Sequence, residues 1–315
     1  MQKIKGRQNH VDTYQQVTDL VIDALEKGVA IWRKPWQIYQ SGTAFFPQNF
    51  VSKTPYKGWN HFYLSWIIQL HQFSSPYFLT FRQTQLLGGS VKKGSKGFPI
   101  IKWIVREPDT KVENEIGSEE ITDTRKKFYP VTHVVFNADQ IDRITFPKPV
   151  LIAQTQPQRI ATCEAIVRGM SDCPIINEGT GIPAYSIIFD KIQMPAYKDF
   201  NPPEEYYCTL FHEMIHSTGH SKRLCRKELV QSDGFGNDLY CREELVAEMG
   251  AAYLSCIAGI APKTIDNSVA YIGSWLRKLK DDRMLMIVAA ARAQAAADYI
   301  LGHYDKDEMN KLEES

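Results

Sequence analysis

The sequence predicts an α+β protein of two domains, and three observations indicate the division into domains. The chain has 315 residues, a length that suggests two domains. Residues 1–150 carry 20 Lys and Arg against 13 Asp and Glu, whereas residues 151–315 carry 17 against 23. Three prolines interrupt residues 146–159. These observations predict two domains, residues 1–150 and 151–315; the helices and strands assigned below make the first domain mixed α/β and the second mainly helical with a small sheet.

The composition excludes several classes of protein. Hydrophobic residues make up 43% and charged residues 23% of the chain, close to the globular average. No apolar run approaches the roughly 20 residues of a membrane-spanning helix, and the start lacks the apolar segment of a secretory signal. The six cysteines form no C-x-x-C pair, which disfavours a cysteine zinc finger. We expect a soluble cytoplasmic protein with reduced, mostly buried thiols and no membrane partner.

The first third of the chain is basic and rich in aromatic residues. Residues 1–106 hold 14 Lys and Arg against 4 Asp and Glu, with 18 of the 36 aromatic residues. Cations neutralise phosphates and rings stack on unpaired bases, so this composition suits single-stranded nucleic acid. A basic surface over an aromatic core is the alternative that composition leaves open.

Four segments of the first half have predictable structure. Apolar spacing predicts a helix over residues 12–25, with Asp12 as N-cap and Gly28 at its end. A second helix is expected to begin near Asn60, after a turn at residues 55–58. Residues 98–105 and 128–141 are expected to form strands, the second ending at Asn137.

The candidate DNA-binding residues lie in these basic and aromatic segments. IWRKPW contains two tryptophans around a basic pair, and GGSVKKGSKG places lysines among glycines, although it is not a P-loop. A core role for the rings and a plain solvated turn are the alternatives. The candidates are cations that would contact phosphates and rings that would stack on bases. They are Trp32, Arg33, Lys34, Trp36, Trp59, Arg82, Lys92, Lys93 and Lys96. The acidic residues 107–123 indicate a solvated loop.

The second half contains a metal-binding motif. His212, Glu213 and His216 form H-E-x-x-H within a helical pattern. Residues i and i+4 lie on one helix face, so both imidazoles can reach one ion, and Glu213 can act as general base on water bound to that ion. Two ordinary surface histidines are the alternative.

A third ligand is expected on a second helix. Glu244 and Glu248 are i and i+4 in YCREELVAEMGAAYL. We assign Glu244 as the third ligand and Glu248 to a contact with a ligand histidine, with the exchange of these two roles left open. Glu243 points about 100° away and is expected to be exposed. Lys222 stands where a metzincin has its third histidine, and His220 is a candidate for lining the site. The donor set favours Zn²⁺, with Mn²⁺ or Co²⁺ as alternatives.

Two further segments of the second half carry structural predictions. Residues 183–200 are expected to form two short strands around Asp190 and Lys191, giving a sheet edge that can pair with an extended peptide. Residues 269–301 are strongly helical, and the alanine-rich residues 289–297 suit close packing in a scaffold helix.

Nearly the whole chain resembles the ArdC-like antirestriction proteins of conjugative plasmids and related mobile elements. The resemblance rests on segments that occur in matching order and spacing: IWRKPW, YKGWN, GGSVKKGSKG, VVFNADQI, FDKIQMP, HEMIHSTGHSKRL, REELVAE and YIGSWL…AAARAQAAADYIL. It implies a first domain that binds single-stranded DNA and a second domain with a zincin-like metallopeptidase fold. It also places His212, His216 and a glutamate of REELVAE at the metal, with Glu213 catalytic.

The resemblance leaves the activity of the peptidase open. Tyr185 and Ser186 stand where relatives often have two aromatic residues, so substrate contacts are expected to differ. The favoured hypothesis is a protein that coats incoming single-stranded DNA and carries a peptidase-type site acting on a host defence protein. The alternatives are a pure DNA-coating protein with a structural metal, and a regulatory protease that cleaves a DNA-associated repressor.

Overall fold

The structure of the chain is a computed structural model, which describes residues 12–32, 46–106, 127–148, 154–230, 238–260 and 268–304. Arg33, Lys34, Trp36, the acidic residues 107–123 and the predicted domain junction at residue 150 lie outside the described residues. Within these ranges, no helix combines the length and the apolar character that a bilayer crossing requires.

The N-terminal half mixes helices and strands. Its elements are α1 (Thr13–Glu26), β1 (Gln48–Asn49), α2 (Gly58–Leu70), β2 (Tyr77–Thr80), α3 (Phe81–Leu86), β3 (Ser90–Val91), β4 (Phe98–Arg106), β5 (Lys127–Asn137) and β6 (Ile141–Asp142). Asp12 caps α1 by accepting from the backbone N–H groups of Tyr14 at 3.0 Å and Gln15 at 3.3 Å. The predicted helices and strands are confirmed, although α2 begins two residues before Asn60.

A four-stranded sheet organises this half. Its strand order is β1-β2-β5-β4, with β1 parallel to β2 and the other pairs antiparallel. The register pairs Phe98 with Val135 and Leu79 with Phe136. The short strands β3 and β6 form a separate antiparallel pair, so the lysine-rich segment, for which a plain turn was one alternative, contains a strand.

The C-terminal half is mainly helical. Its elements are α4 (Gln156–Gly169), β7 (Ile175–Gly179), β8 (Ala184–Ser186), β9 (Lys191–Pro195), α5 (Glu204–Thr218), α6 (Lys227–Val230), α7 (Asp238–Ala258), α8 (Ser268–Asp281) and α9 (Leu285–Ile300). The sheet order β7-β9-β8 leaves β8 at an edge, antiparallel to β9. The two predicted strands are present, joined by the unpredicted β7. The predicted helical region is interrupted after Asp281, where the Asp282 side chain accepts from Met284 N–H at 2.9 Å.

One contiguous hydrophobic core joins the two halves. The Trp32 ring meets Trp275 of α8 edge-on at 5.4 Å between centroids. The Thr18 hydroxyl of α1 donates to the Arg283 carbonyl at 2.9 Å, and Asp12 forms an ion pair with Arg283. Helix α2 packs against both β4 and α9. The predicted domains therefore meet through buried side chains.

Two of the predicted base-stacking rings belong to this core. Trp32 is 0% exposed and Trp59 is 5% exposed. The Trp59 ring stacks on Tyr63 at 5.7 Å between centroids. The prediction that these two rings stack on bases is wrong for this structure, because protein atoms already cover their faces.

Candidate metal centre

Helix α5 presents both motif histidines on one buried face. Glu204 and Glu205 occupy its first turn, where negative charge favours the helix N-terminus. Its apolar side chains Leu210, Phe211, Met214 and Ile215 are buried in the core. His212 and His216, one turn apart, are buried with them. The α5 sequence therefore places two imidazoles side by side inside the protein.

Helix α7 brings the third donor to these imidazoles. The side chain of Glu244 lies 3.6 Å from His212 Nε2 and 3.3 Å from His216 Nε2. The two Nε2 atoms are 3.1 Å apart. A Cβ atom at Gly250 would lie 2.6 Å from Ile215 Cδ1 of α5, so the absence of a side chain at Gly250 permits this close approach of the helices.

The three side chains fit a metal ion. Each offers one ligand atom, and these atoms lie within 4.8 Å of one another in a buried group. Two imidazole nitrogens and one carboxylate oxygen are a donor set that suits zinc and related divalent ions. Ser217 and Thr218, which follow His216 on α5, are also buried, but hydroxyls are weaker donors to such ions. The geometry supports Glu244 over Glu248 as the third donor.

The buried carboxylates raise the pKa of both imidazoles of this centre. Burial alone would lower the pKa of His216, but the charges of Glu244 and Glu243 outweigh it and raise that pKa above the ordinary value. The pKa of His212 is raised in the same way, chiefly by Glu244. Burial would raise the pKa of Glu244, but the two imidazoles hold it well below its usual range.

Glu243 contacts the far side of His216. Its Oε1 atom lies 3.2 Å from His216 Nδ1, and its other oxygen accepts from Arg226 Nε at 2.9 Å. Burial would raise the pKa of Glu243, but Arg226 and His216 lower it to about 2. The expectation that Glu243 is exposed is wrong, since its exposed fraction is 1%. Arg226 and helix α6 pack against α7 on the side that was predicted to meet solvent.

Of the remaining predicted residues of the centre, Glu213 and Glu248 are buried and His220 is partly buried. Glu213 lies next to His212 on α5, and its charge contributes to the raised pKa of His216. Glu248 lies one turn after Glu244 on α7. A carboxylate contact with the outer nitrogen of a ligand histidine, the role predicted for Glu248, is observed for Glu243, which faces His216 Nδ1. His220 follows α5, and its Nδ1 accepts from Lys222 N–H at 3.2 Å.

The β8–β9 hairpin is tied to the end of α5. Arg223 donates to both oxygens of Asp190 and, through Nε, to the Ser217 carbonyl at 2.7 Å. The Tyr185 hydroxyl donates to Asp190 at 2.8 Å. His220 Nδ1 lies 4.0 Å from the same carboxylate. These contacts hold the β8–β9 hairpin beside α5.

The predicted phosphate contacts of the first half differ in their surroundings. Arg82, Lys93 and Lys96 are exposed. Lys92 is exposed too, but its Nζ donates to the Asp139 carbonyl at 2.7 Å and lies 3.9 Å from Asp142. Lys92 therefore contributes less positive charge to the surroundings than its neighbours do.

An aromatic cluster that the sequence did not single out lies in the same half. The Phe50 ring meets Phe146 at 4.8 Å and Tyr77 at 5.4 Å between centroids. Lys53 Nζ lies 3.6 Å from the Phe50 ring centroid. All three rings are partly exposed. Their separation in sequence hides this cluster, because Phe146 is brought to Phe50 only by the fold.

Glu243 and Arg226 are the residues of the centre that sequence reasoning missed. Helical angles placed Glu243 correctly on α7, away from Glu244, but gave no sign of what covers that face. Arg226 lies 17 residues before Glu243 and outside any motif. One sequence feature could have indicated Glu243: it is a carboxylate next to a candidate ligand on a helix. Carboxylates near a metal site often accept from the outer nitrogen of a ligand histidine.

Two family matches cover most of the chain. Residues 11–136 match the N-terminal domain of anti-restriction factor ArdC. Residues 164–292 match the zincin-like metallopeptidase family. The range 164–292 contains the motif histidines, Glu243 and Glu244, whereas the range 11–136 contains Arg82 and the three predicted lysines.

Solved structures of one protein are similar over nearly the full length. The metal-free crystal structure of antirestriction ArdC protein from R388 plasmid has 33% identity and a TM-score of 0.70, covering 94% of this chain and 100% of that chain. The Mn(II)-bound structure of the same protein has 34% identity and a TM-score of 0.72, with coverages of 93% and 98%.

Curated relatives differ in how much of their length is matched. The uncharacterized protein y4eC of Sinorhizobium fredii is 28% identical over 97% of this chain and 96% of its own length. Two proteins of Escherichia coli named DNA primase TraC are 31% and 30% identical over 93% of this chain, which spans only 27% and 20% of their lengths.

Proposed function

Because the chain belongs to the ArdC family of antirestriction proteins and has a zincin-like domain, we propose that it binds single-stranded DNA non-specifically and holds Zn²⁺ through His212, His216 and Glu244. The observation that carries the metal site is the convergence of these three buried donors within 4.8 Å. DNA binding is assigned to residues 1–150 and the metal site to residues 151–315, in the cytoplasm.

The metal site is proposed to serve peptide hydrolysis. Bound Zn²⁺ would polarise a peptide carbonyl and acidify water. Glu213 follows His212 on α5, and its carboxylate would accept the proton of the attacking water. The anchored β8 edge would align an extended peptide, with a host defence protein as the substrate class. Mn²⁺ and Co²⁺ suit the same donors, and one of the similar R388 structures is Mn(II)-bound.

The DNA-binding proposal rests on charge and on exposed rings. Residues 27–106 contain eleven Lys and Arg and no Asp or Glu, so no carboxylate from this segment repels phosphates. Arg82, Lys93 and Lys96 are exposed within it. Since Trp32 and Trp59 are buried, the partly exposed rings of Phe50, Tyr77 and Phe146 take over the proposed contact with bases.

Binding to DNA is tested by titrating labelled oligonucleotides across a salt series. We expect single strands to bind more tightly than duplexes of the same sequence, with affinity falling steeply as salt rises. Phe50→Ala with Tyr77→Ala should weaken single-strand binding, whereas Tyr197→Ala in the other half should leave it unchanged. Equal affinity for duplex and single strands would contradict the stacking contacts.

The role of the peptidase-type site is tested by Glu213→Gln. This substitution removes the proposed base and leaves the three metal donors in place. Protection of incoming DNA from restriction should be lost, while single-strand affinity and bound zinc remain. Full protection by Glu213→Gln protein would exclude hydrolysis from the antirestriction function.

The burial of the donor group favours a second candidate, a DNA-coating protein with a structural metal. Burial of all three donors between α5 and α7 would let an ion link the two helices. Under this candidate, chelation should lower thermal stability and Glu213→Gln should leave protection intact. Protection by the Glu213→Gln variant separates the two functions, since removal of bound metal lowers thermal stability under either.

A further inference from the structure

Arg226 is a buried guanidinium with several fixed contacts. It donates through Nε to Glu243 Oε2 at 2.9 Å and through Nη2 to Glu243 Oε1 at 2.5 Å. It also donates to Thr218 Oγ1 at 2.6 Å and to the Ile215 carbonyl at 2.7 Å. The guanidinium thus joins the end of α5 to the start of α7 by charge-assisted bonds.

This arrangement determines which nitrogen of His216 carries hydrogen. Both oxygens of Glu243 accept from Arg226, so the group facing His216 Nδ1 at 3.2 Å is an acceptor. His216 Nδ1 must then be the donor. In the neutral imidazole the Nε2 lone pair is free and points toward His212 and Glu244.

We propose that Arg226 and Glu243 are positioning residues, which hold the His216 ring in the orientation and tautomer that bind the metal. This inference rests on the metal site proposed above. His212 has no equivalent support among the described residues, because its buried Nδ1 atom has no hydrogen-bond partner there. The protein therefore orients one of the two ligand histidines through an ion pair whose arginine lies outside the motif segments of the sequence.

The turn that follows α5 places the Arg226 guanidinium against Glu243. Arg226 N–H donates to the Gly219 carbonyl at 3.0 Å, which closes residues 219–226 into a compact turn. A Cβ atom at Gly219 would lie 2.9 Å from Arg226 Nη2 and 3.0 Å from its Cζ. The glycine that ends α5 therefore leaves the space that the guanidinium occupies.

A matched pair of arginines makes the inference testable. Arg223 lies three residues before Arg226, has an equally buried side chain, and also forms a two-bond pair with a carboxylate, that of Asp190. Its carboxylate partner belongs to the β8–β9 hairpin and its Nε donates to the Ser217 backbone carbonyl, so none of these bonds reaches the His216 ring or Glu243. Arg223→Lys is therefore the control for losing a buried arginine that makes two bonds to a carboxylate. Arg226→Lys and Glu243→Gln disturb the proposed support of His216.

The experiment measures Zn²⁺ dissociation constants of the full chain by competition with a chromophoric chelator. It also records visible absorption spectra of the Co²⁺-loaded proteins and melting temperatures without metal. We expect Glu243→Gln and Arg226→Lys to weaken Zn²⁺ binding about 10- to 100-fold and to shift the Co²⁺ bands. Arg223→Lys should lower the melting temperature comparably, with Zn²⁺ affinity and Co²⁺ bands unchanged.

Each other outcome overturns the inference in a recognisable way. If all three variants lose affinity in proportion to their loss of melting temperature, Arg226 and Glu243 are merely structural. If Arg226→Lys does not fold, the Co²⁺ bands of Glu243→Gln decide, and unchanged bands refute the positioning role. Failure of the wild-type protein to bind Zn²⁺ or Co²⁺ would instead refute the proposed metal site itself, and the inference with it.

Discussion

The donor group of the C-terminal half is buried between two helices, whereas the cations of the N-terminal half are exposed and spread over loops and short elements. His212, His216 and Glu244 converge within 4.8 Å. Arg82, Lys93 and Lys96 instead face solvent. A metal needs ligands at fixed distances, so its site requires a rigid, packed surround. Phosphates along a flexible strand need only charge within reach.

The two halves also differ in how well a residue pattern predicts where its side chains lie. The spacing of two histidines on a helix fixes where their side chains lie relative to each other. Packing of α5 against α7 then adds the carboxylate of Glu244. An excess of tryptophan next to basic residues, by contrast, fixes no positions. It is compatible with a hydrophobic core as well as with a binding surface. In this fold, Trp32 and Trp59 are core residues.

The largest effect that would test this contrast is expected from Trp32→Ala. The ring is fully buried against Trp275 at the contact between the halves, so its loss should cost about 3–5 kcal/mol of unfolding free energy. Denaturant unfolding measures this. Phe81→Ala is the control, because its exposed ring should contribute about 0.5 kcal/mol or less. A small loss with Trp32→Ala and a large loss of DNA affinity would return Trp32 to a binding role.

A second large effect is expected from His212→Ala. Loss of a direct donor should weaken Zn²⁺ binding by more than about 100-fold, beyond the effect of outer contacts. Chelator competition or calorimetry gives the dissociation constant. His303→Ala removes an exposed histidine outside the donor group and should bind Zn²⁺ like the wild type. Similar affinity in both variants would remove His212 from the metal site.

An intermediate effect is expected from Gly250→Ala. The new methyl group would meet Ile215 at 2.6 Å and push α5 away from α7, at a cost of about 1–3 kcal/mol. Thermal unfolding measures the loss, and Zn²⁺ affinity should fall because the donors of the two helices separate. Gly169→Ala is the control, since its new methyl group would meet no neighbouring atom within 4 Å. Equal stability of both variants would show that α5 and α7 tolerate separation.

The smallest effect is expected from single lysines of the basic half. Lys93→Ala and Lys96→Ala should each reduce the slope of log affinity against log salt by about 0.7, the value for one phosphate contact on a single strand. Fluorescence anisotropy at several salt concentrations gives the slope. Lys198→Ala, which removes an exposed lysine of the other half, should leave it unchanged. A uniform effect of all three would indicate a response to net charge alone.

The sequence predicted the local structure well where one physical rule dominates. Side-chain capping and apolar spacing located α1, with Asp12 as its N-cap. The i, i+4 rule placed His212 beside His216, and Glu244 was assigned from the same rule on α7. The helix and the adjacency of the two imidazoles are confirmed, because each depends on residues within one or two helical turns, and Glu244 lies beside both imidazoles.

Residue type and short-range geometry were therefore sufficient to predict the helices, the adjacency of His212 and His216 and the uneven distribution of charge. Three features depended instead on the tertiary fold: Trp32 joins the two halves, Phe146 reaches Phe50, and Arg226 and Glu243 support His216. Each of these contacts joins residues separated by 17 or more positions. Such pairings are decided by how helices, strands and loops pack against one another, and no local pattern encodes them.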